Sequence, residues 1–135
     1  MNKQLPITVL LVDDSQITLS IIEKTIGIAG FPIKAIFHAS NGHEAYDIVN
    51  TRKIDLVISD IIMPVMTGVE LVNKLKANGY TKKLRIIVIS SEGSKTKIEE
   101  LKANGISGFL RKPFKPEDVK ELINRVMWGQ DERRV

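Results

Sequence analysis

The chain has no cysteine, which excludes a disulfide framework, a thiolate metal site and a cysteine nucleophile. It has two histidines, His38 and His43, and they lack the spacing of a metal-ligand pair, so surface or capping roles are expected for them. Aromatic residues make up 5% of the sequence, with one tryptophan, and are not interleaved with basic residues. The footprint of a nucleic-acid-binding surface is therefore missing, and no direct nucleic-acid contact is expected. No apolar run approaches the roughly 18 residues of a membrane span. The opening Met1-Asn2-Lys3-Gln4-Leu5-Pro6 is too short and polar for a signal peptide. A cytoplasmic domain with no membrane contact is the expectation.

What is present fits a single globular domain. The chain has 135 residues, of which 43% are hydrophobic and 27% charged, ordinary values for a soluble fold that builds its core without staples. The net charge is +4. Its basic residues are scattered, except for Lys82, Lys83 and Arg85 and the pair Arg133-Arg134.

Short β-branched apolar runs alternate with stretches of helical period. Ile7 to Val12 predicts a strand buried on both faces. A helix from Gln16 to Ala29 follows, with Ile22, Ile26 and Ala29 on its apolar stripe and Gly30 as its stop. Ile33 to Phe37 predicts a second strand, and Asn41 with Glu44 caps a helix from Gly42 to Thr51. Leu56 to Ile58 makes a third strand ending at Ser59-Asp60, and a helix spans about Val69 to Ala77. Leu84 to Ile89 is the fourth strand, Thr96 with Glu99 caps a helix to Ala103, and Ile106 to Leu110 is the fifth strand. A last helix opens at Pro116 and carries Val119, Leu122, Ile123, Val126 and Met127 on one face. The pentapeptide Leu-Lys-Ala-Asn-Gly occurs at 75–79 and 101–105, which is explained by two similar helix stops rather than by a repeat. Residues 1–128 are expected to form the domain and 129–135 a polar tail.

This alternation predicts an α/β fold: a five-stranded parallel sheet with helices on both faces, doubly wound and flavodoxin-like. Ligands of such folds bind beyond the carboxyl ends of the strands. Asp13-Asp14, Asp60, Ser90 and Lys112-Pro113 collect there. Carboxylates gathered together repel unless a cation compensates. Hard oxygen donors without histidine or cysteine suit Mg²⁺, and a hydroxyl with an ammonium opposite them can hold a phosphoryl group.

Those residues resemble the receiver domain of two-component response regulators. Asp13-Asp14 follows an apolar strand, Asp60-Ile61-Ile62-Met63-Pro64 is followed by Gly68, and Ser90 and Lys112-Pro113-Phe114 come in order. The separations of 46, 30 and 22 residues along Asp14, Asp60, Ser90 and Lys112 are similar to the family's. The resemblance implies that Asp60 is the phosphoacceptor for the phosphohistidine of a sensor histidine kinase. It implies that Asp13, Asp14, Asp60 and the backbone carbonyl of Ile62 bind Mg²⁺, that Lys112 pairs with a phosphoryl oxygen, and that Ser90 moves to hydrogen-bond another. Lys112–Pro113 is a candidate cis peptide. Phe109 stands at the family's aromatic switch position, with a core aromatic as the alternative, and Met63-Pro64 with Gly68 shapes the loop after Asp60. Ile62 and Glu92 occupy positions that affect phosphoryl lifetime, and slow self-dephosphorylation is expected from Ile62. Ile17 and Ile21 lie off the buried stripe, where the family docks its kinase or where they are simply buried. Trp128 is expected to be a packing lid rather than a contact site.

The implied function is a stand-alone signalling switch of chemotaxis type, not an enzyme. Its output to a downstream target protein would pass through the fourth helix, fifth strand and fifth helix, about Lys95–Ala103, Ile106–Leu110 and Glu117–Trp128. Alternatives are a phosphorelay intermediate passing phosphate to a histidine phosphotransfer protein, a receiver cut from a longer regulator, and an Asp-nucleophile, Mg²⁺-dependent phosphohydrolase. The last normally carries a second Asp two residues after the nucleophile, where this chain has Ile62.

Overall fold

The structure, a computed structural model, describes residues 5–61, 66–91 and 95–129. Its strands are β1 (Ile7–Val12), β2 (Ile33–Ala39), β3 (Leu56–Asp60), β4 (Arg85–Ser90) and β5 (Gly108–Arg111), all paired in parallel in the order β2-β1-β3-β4-β5. Between and after them run α1 (Gln16–Ala29), α2 (Gly42–Thr51), α3 (Gly68–Ala77), α4 (Lys95–Ala103) and α5 (Pro116–Trp128). This is the expected doubly wound architecture.

Strand alternation sorts the core into two layers. Leu10, Val12, Val57, Ile86 and Val88 face α2, α3 and α4, meeting Ala45, Val49, Leu71, Leu75 and Leu101. Val9, Leu11, Ile58, Ile87 and Ile89 face α1 and α5, meeting Leu19, Ile22, Ile26, Val119 and Ile123. Each such side chain taken fully out of water contributes about 1.5–3 kcal/mol before entropy is counted. β1 is buried at every position, Thr8 included, as its run of apolar and β-branched residues predicts. Gly108 lets α5 approach β5, because a Cβ there would stand 2.8 Å from Leu122 Cδ1. Trp128 stacks on Phe31 with ring centroids 5.2 Å apart, the expected packing role.

Several boundaries differ from the sequence-based expectation. β2 runs two residues further, to Ala39, because Val12 of β1 extends the pairing that far. β4 starts at Arg85, one residue late. β5 begins at Gly108 rather than Ile106, since the Ile106 amide is committed to the stop of α4, bonding Leu101 O at 3.3 Å while Gly105 sits at φ 99°. Gly79 at φ 80° closes the other copy of the pentapeptide, so both copies are helix stops. Thr96 lies inside α4, which is already helical at Lys95, so Thr96 is not its cap, contrary to expectation. A 3₁₀ turn at Tyr80–Lys82 had no sequence signal. Among the described residues, no helix is long and apolar enough to cross a membrane. Residues 130–135, most of the expected tail, lie outside those described.

Candidate functional site

Parallel register places the ends of β1, β3 and β4 side by side. Val12 pairs with Ser59 and Asp60 with Ile89, so Asp13, Asp60 and Ser90 leave the sheet at one edge. Asp13 is 3% exposed. Its amide donates to Ala39 O at 3.0 Å and its Oδ1 accepts the Ser15 amide at 2.9 Å. Ser15 also caps α1, its side chain accepting the Thr18 amide. Asp60 Oδ1 accepts the neighbouring Ile61 amide at 2.7 Å, which leaves Oδ2 free to face Lys112.

Lys112 is aimed from the far side of the site. Its amide donates to Ser90 O at 3.0 Å, tying it to the end of β4, and the Lys112–Pro113 peptide is cis, as expected. Its ammonium stands 3.5 Å from Asp60 Oδ2 and 3.6 Å from Asp13 Oδ2. Both distances exceed the roughly 2.9 Å of a tight charge-assisted hydrogen bond, so the lysine serves the two carboxylates as a shared point charge. Ser90 is buried at the same edge. Asp14 points to solvent, beside Asp13.

The charge balance here is incomplete. Burial pushes the Asp13 carboxyl above its ordinary range. The Ser15 amide and Lys112 oppose that shift, while Asp60 and a hydrogen bond with Asp14 add to it. Among the described residues no three His, Cys, Asp or Glu side chains form a metal cage of their own. The donor set is nonetheless hard oxygen, with excess negative charge and an exposed side at Asp14. That suits an ion which keeps several of its waters, as Mg²⁺ does.

The loop after Asp60 is pinned at both ends. The Gly68 amide donates to Ile61 O at 2.6 Å, and the Gly42 amide donates to Met66 O at 3.1 Å. A Cβ on Gly68 would stand 2.2 Å from the Asp60 carbonyl oxygen, so only glycine lets α3 start against the end of β3. Thr67 and Glu70 form a capping box there. Its Thr-x-x-Glu signature stands in the sequence and sequence reasoning passed over it. Ile62, Met63, Pro64 and Glu92 lie outside the described residues.

Of the remaining candidates, Phe109 is partly buried against the α2–α4 layer, with the Arg111 guanidinium 6.0 Å from its ring centroid. Ile17 and Ile21 are exposed, at 74% and 50%, and Ile28 continues the row at 77%, so simple burial does not account for them. His38 pairs with Glu23 at 2.6 Å and His43 lies 3.8 Å from Asp47, both on the surface.

Comparison with known proteins agrees with this geometry. The model of the response regulator receiver domain matches residues 9–124. The chain belongs to that family. It is 33% identical to the two-component response regulator ORR11 of Oryza sativa, over 90% of this chain and 82% of the relative. Among solved structures, the chemotaxis response regulator CheY4 of Vibrio cholerae superposes with a TM-score of 0.79 at 36% identity, covering 90% of this chain and 98% of that one. CheY of Borrelia burgdorferi, solved in a complex with CheX, beryllofluoride and Mg²⁺, gives a TM-score of 0.79 at 30% identity, with 90% of each chain covered. This chain is thus a receiver domain, a two-component signalling module.

Proposed function

We propose that this receiver is a phosphorylation-activated switch whose phosphoacceptor is Asp60. The observation that carries the reading is one ammonium, Lys112, spanning the carboxylates of Asp60 and Asp13 at the carboxyl edge of the sheet. A carboxylate oxygen of Asp60 attacks the phosphorus of a kinase phosphohistidine. The P–N bond breaks, the imidazole leaves, and Asp60 carries an acyl phosphate. Asp13, Asp14, Asp60 and the Ile62 carbonyl are the groups that would hold Mg²⁺, which when bound supplies positive charge to the phosphoryl oxygens. Lys112 changes partner, from two carboxylates to a phosphoryl oxygen, and the Ser90 hydroxyl takes another oxygen.

The kinase approaches over α1. Ile17 and Ile21 are exposed there, and a cavity of about 400 Å³ lined by Thr18, Ile21, Pro113 and Phe114 opens directly beside Lys112. Output follows from a two-state equilibrium: the phosphoryl group shifts the population only as far as it contacts one state better than the other. Ser90 and Phe109 link the site to the surface of α4, β5 and α5, where a downstream protein binds. The domain is consumed once per phosphoryl group and acts as a switch rather than an enzyme.

The test is incubation with acetyl phosphate and Mg²⁺, read by intact mass. Wild type gains one phosphoryl group, lost on chelation of the metal beforehand, and Asp60→Asn gains none. Uptake by Asp60→Asn equal to wild type would overturn the assignment.

A further inference from the structure

The sheet edge opposite Asp60 carries a second cleft, of about 370 Å³, within the range of small-molecule sites. It lies where α2 leads into β3 and the 3₁₀ turn leads into β4. β3 rises from Leu56 to Asp60 across the sheet, so this cleft stands more than about 13 Å from the phosphoacceptor. Its floor is apolar: Val49, Ile54 and Leu84, each at most 5% exposed, with the ring of Tyr80. Its rim is basic, with Arg52 and Lys53 from one segment and Lys83 from the other.

Among the described residues, none of these three cations is in an ion pair with a carboxylate. Asp55, the acid nearest in sequence to Arg52 and Lys53, has its carboxylate on the Thr8 amide at 2.9 Å. The end of α2 accounts for one cation at most, since a helix C-terminus carries about half a unit of negative charge. The walls are also held in place. The Arg52 guanidinium lies 4.7 Å over the Phe37 ring, and Tyr80 is bonded through its hydroxyl to Asn50 and set edge-on to Tyr46 at 6.2 Å. An apolar floor beneath a basic rim, with Arg52 and Tyr80 held in position, selects a ligand with both characters.

We propose that this cleft binds a small amphipathic anion: a flat apolar body bearing a phosphate, carboxylate or sulfonate group. The body covers Ile54, Leu84 and Tyr80, and the anionic group takes charge-assisted hydrogen bonds from Lys53, Lys83 and Arg52. The inference stands apart from the phosphoacceptor reading, because none of its residues touches that site.

The test is a titration of the full chain with anilinonaphthalene sulfonate and, separately, adenosine monophosphate, followed by amide-resolved NMR. The expected result is saturable shifts at 49–54 and 80–84 for at least one probe, with a Kd below about 1 mM. The double variant Lys53→Glu/Lys83→Glu weakens that binding by at least about tenfold, and Lys53→Gln/Lys83→Gln weakens it less, both with unchanged thermal melting. Absence of saturation with both probes, shifts that map to α1 instead, or affinity indifferent to charge reversal overturns the proposal. Binding of heparin or duplex DNA alone overturns it too, since the edge is then a surface for polyanions.

Discussion

At the carboxyl edge of the sheet, Asp13 and Asp60 face each other under one lysine; at the amino edge, Arg52, Lys53 and Lys83 ring a cleft with no carboxylate paired to them among the described residues. Part of this sorting follows from the fold itself. Helices in a parallel α/β fold run against the strands, so their first turns lie at the carboxyl edge and their last turns at the amino edge. The macrodipole favours acids at the former and bases at the latter. Glu44, Glu70, Glu117 and Asp118 occupy first turns, and Lys74, Lys76, Lys102 and Arg125 last turns. What separates these capping charges from those of the site is burial, since Glu44 and Glu70 are exposed and Asp13 is not. Glu44 and Glu70 accept backbone amides, those of Ser40 and Thr67. Asp13 also accepts a backbone amide, that of Ser15, but it is buried, and burial raises its pKa, with Asp60 and Asp14 adding to the shift. Carboxylates sharing one lysine at the carboxyl edge suit a cation. Unpaired positive charge over an apolar floor at the other marks a site waiting for an anion.

That contrast can be broken most severely at Gly68. Gly68→Ala drives a methyl group against the Asp60 carbonyl and, at 2.7 Å, the Ile61 Cα. Neither is a flexible side chain that can swing aside. Urea unfolding should show a loss of about 3 kcal/mol, at the upper end for overpacking. Phosphoryl uptake should fall with it while anion binding at the amino edge persists in the folded fraction.

A smaller effect, of opposite sign, is expected at Asp13. Because its carboxyl titrates above the ordinary 3.8, the folded state binds its proton more tightly than the unfolded chain does. Stability is therefore lost as pH rises through the folded-state pKa. Asp13→Asn removes that dependence. The two proteins should melt together below pH 3.8, and the variant should be the more stable by on the order of 1 kcal/mol at neutral pH without metal. Mg²⁺ should close the gap by stabilising wild type more, since the variant lacks one of the proposed ligands. A variant less stable than wild type at neutral pH without metal would show that burying the Asp13 charge carries no net cost.

The mildest probe is Thr67→Ala. It removes an oxygen that accepts the Glu70 amide at 3.2 Å and half of a capping box, at a cost of about 1 kcal/mol. Chemical denaturation should show that loss with little change in phosphoryl uptake, because Gly68, not Thr67, packs against Asp60. A large loss of uptake at normal stability would mean that the cap also positions the phosphoacceptor loop.

Much of this molecule was legible in its residues because local chemistry and long-range packing agree. Ile7–Val12 is apolar apart from Thr8 and is buried at every position. Pro116, Glu117 and Asp118 announce α5, and the two Asn-Gly stops close α3 and α4. Where reading failed, backbone hydrogen bonding decided, in one case across the sheet and in another within a helix stop. Ala39 belongs to β2 because of Val12, and Ile106 is kept out of β5 by Leu101. Asp60 and Lys112 could be named from their order and spacing, whereas the bridging position of the ammonium could not.

The amino-acid order alone determined the alternation of strands and helices, the two apolar layers and the identity of the acids, hydroxyl and amine at the strand ends, because these rest on periodicity and on residue chemistry within a few positions. Only the tertiary structure decided that Lys112 sits between Asp13 and Asp60, that Ile17 and Ile21 stay exposed, and that Arg52, Lys53 and Lys83 surround one cleft. Each of those facts joins segments distant in sequence, and their separation is set by strand register and helix packing, which no local pattern encodes.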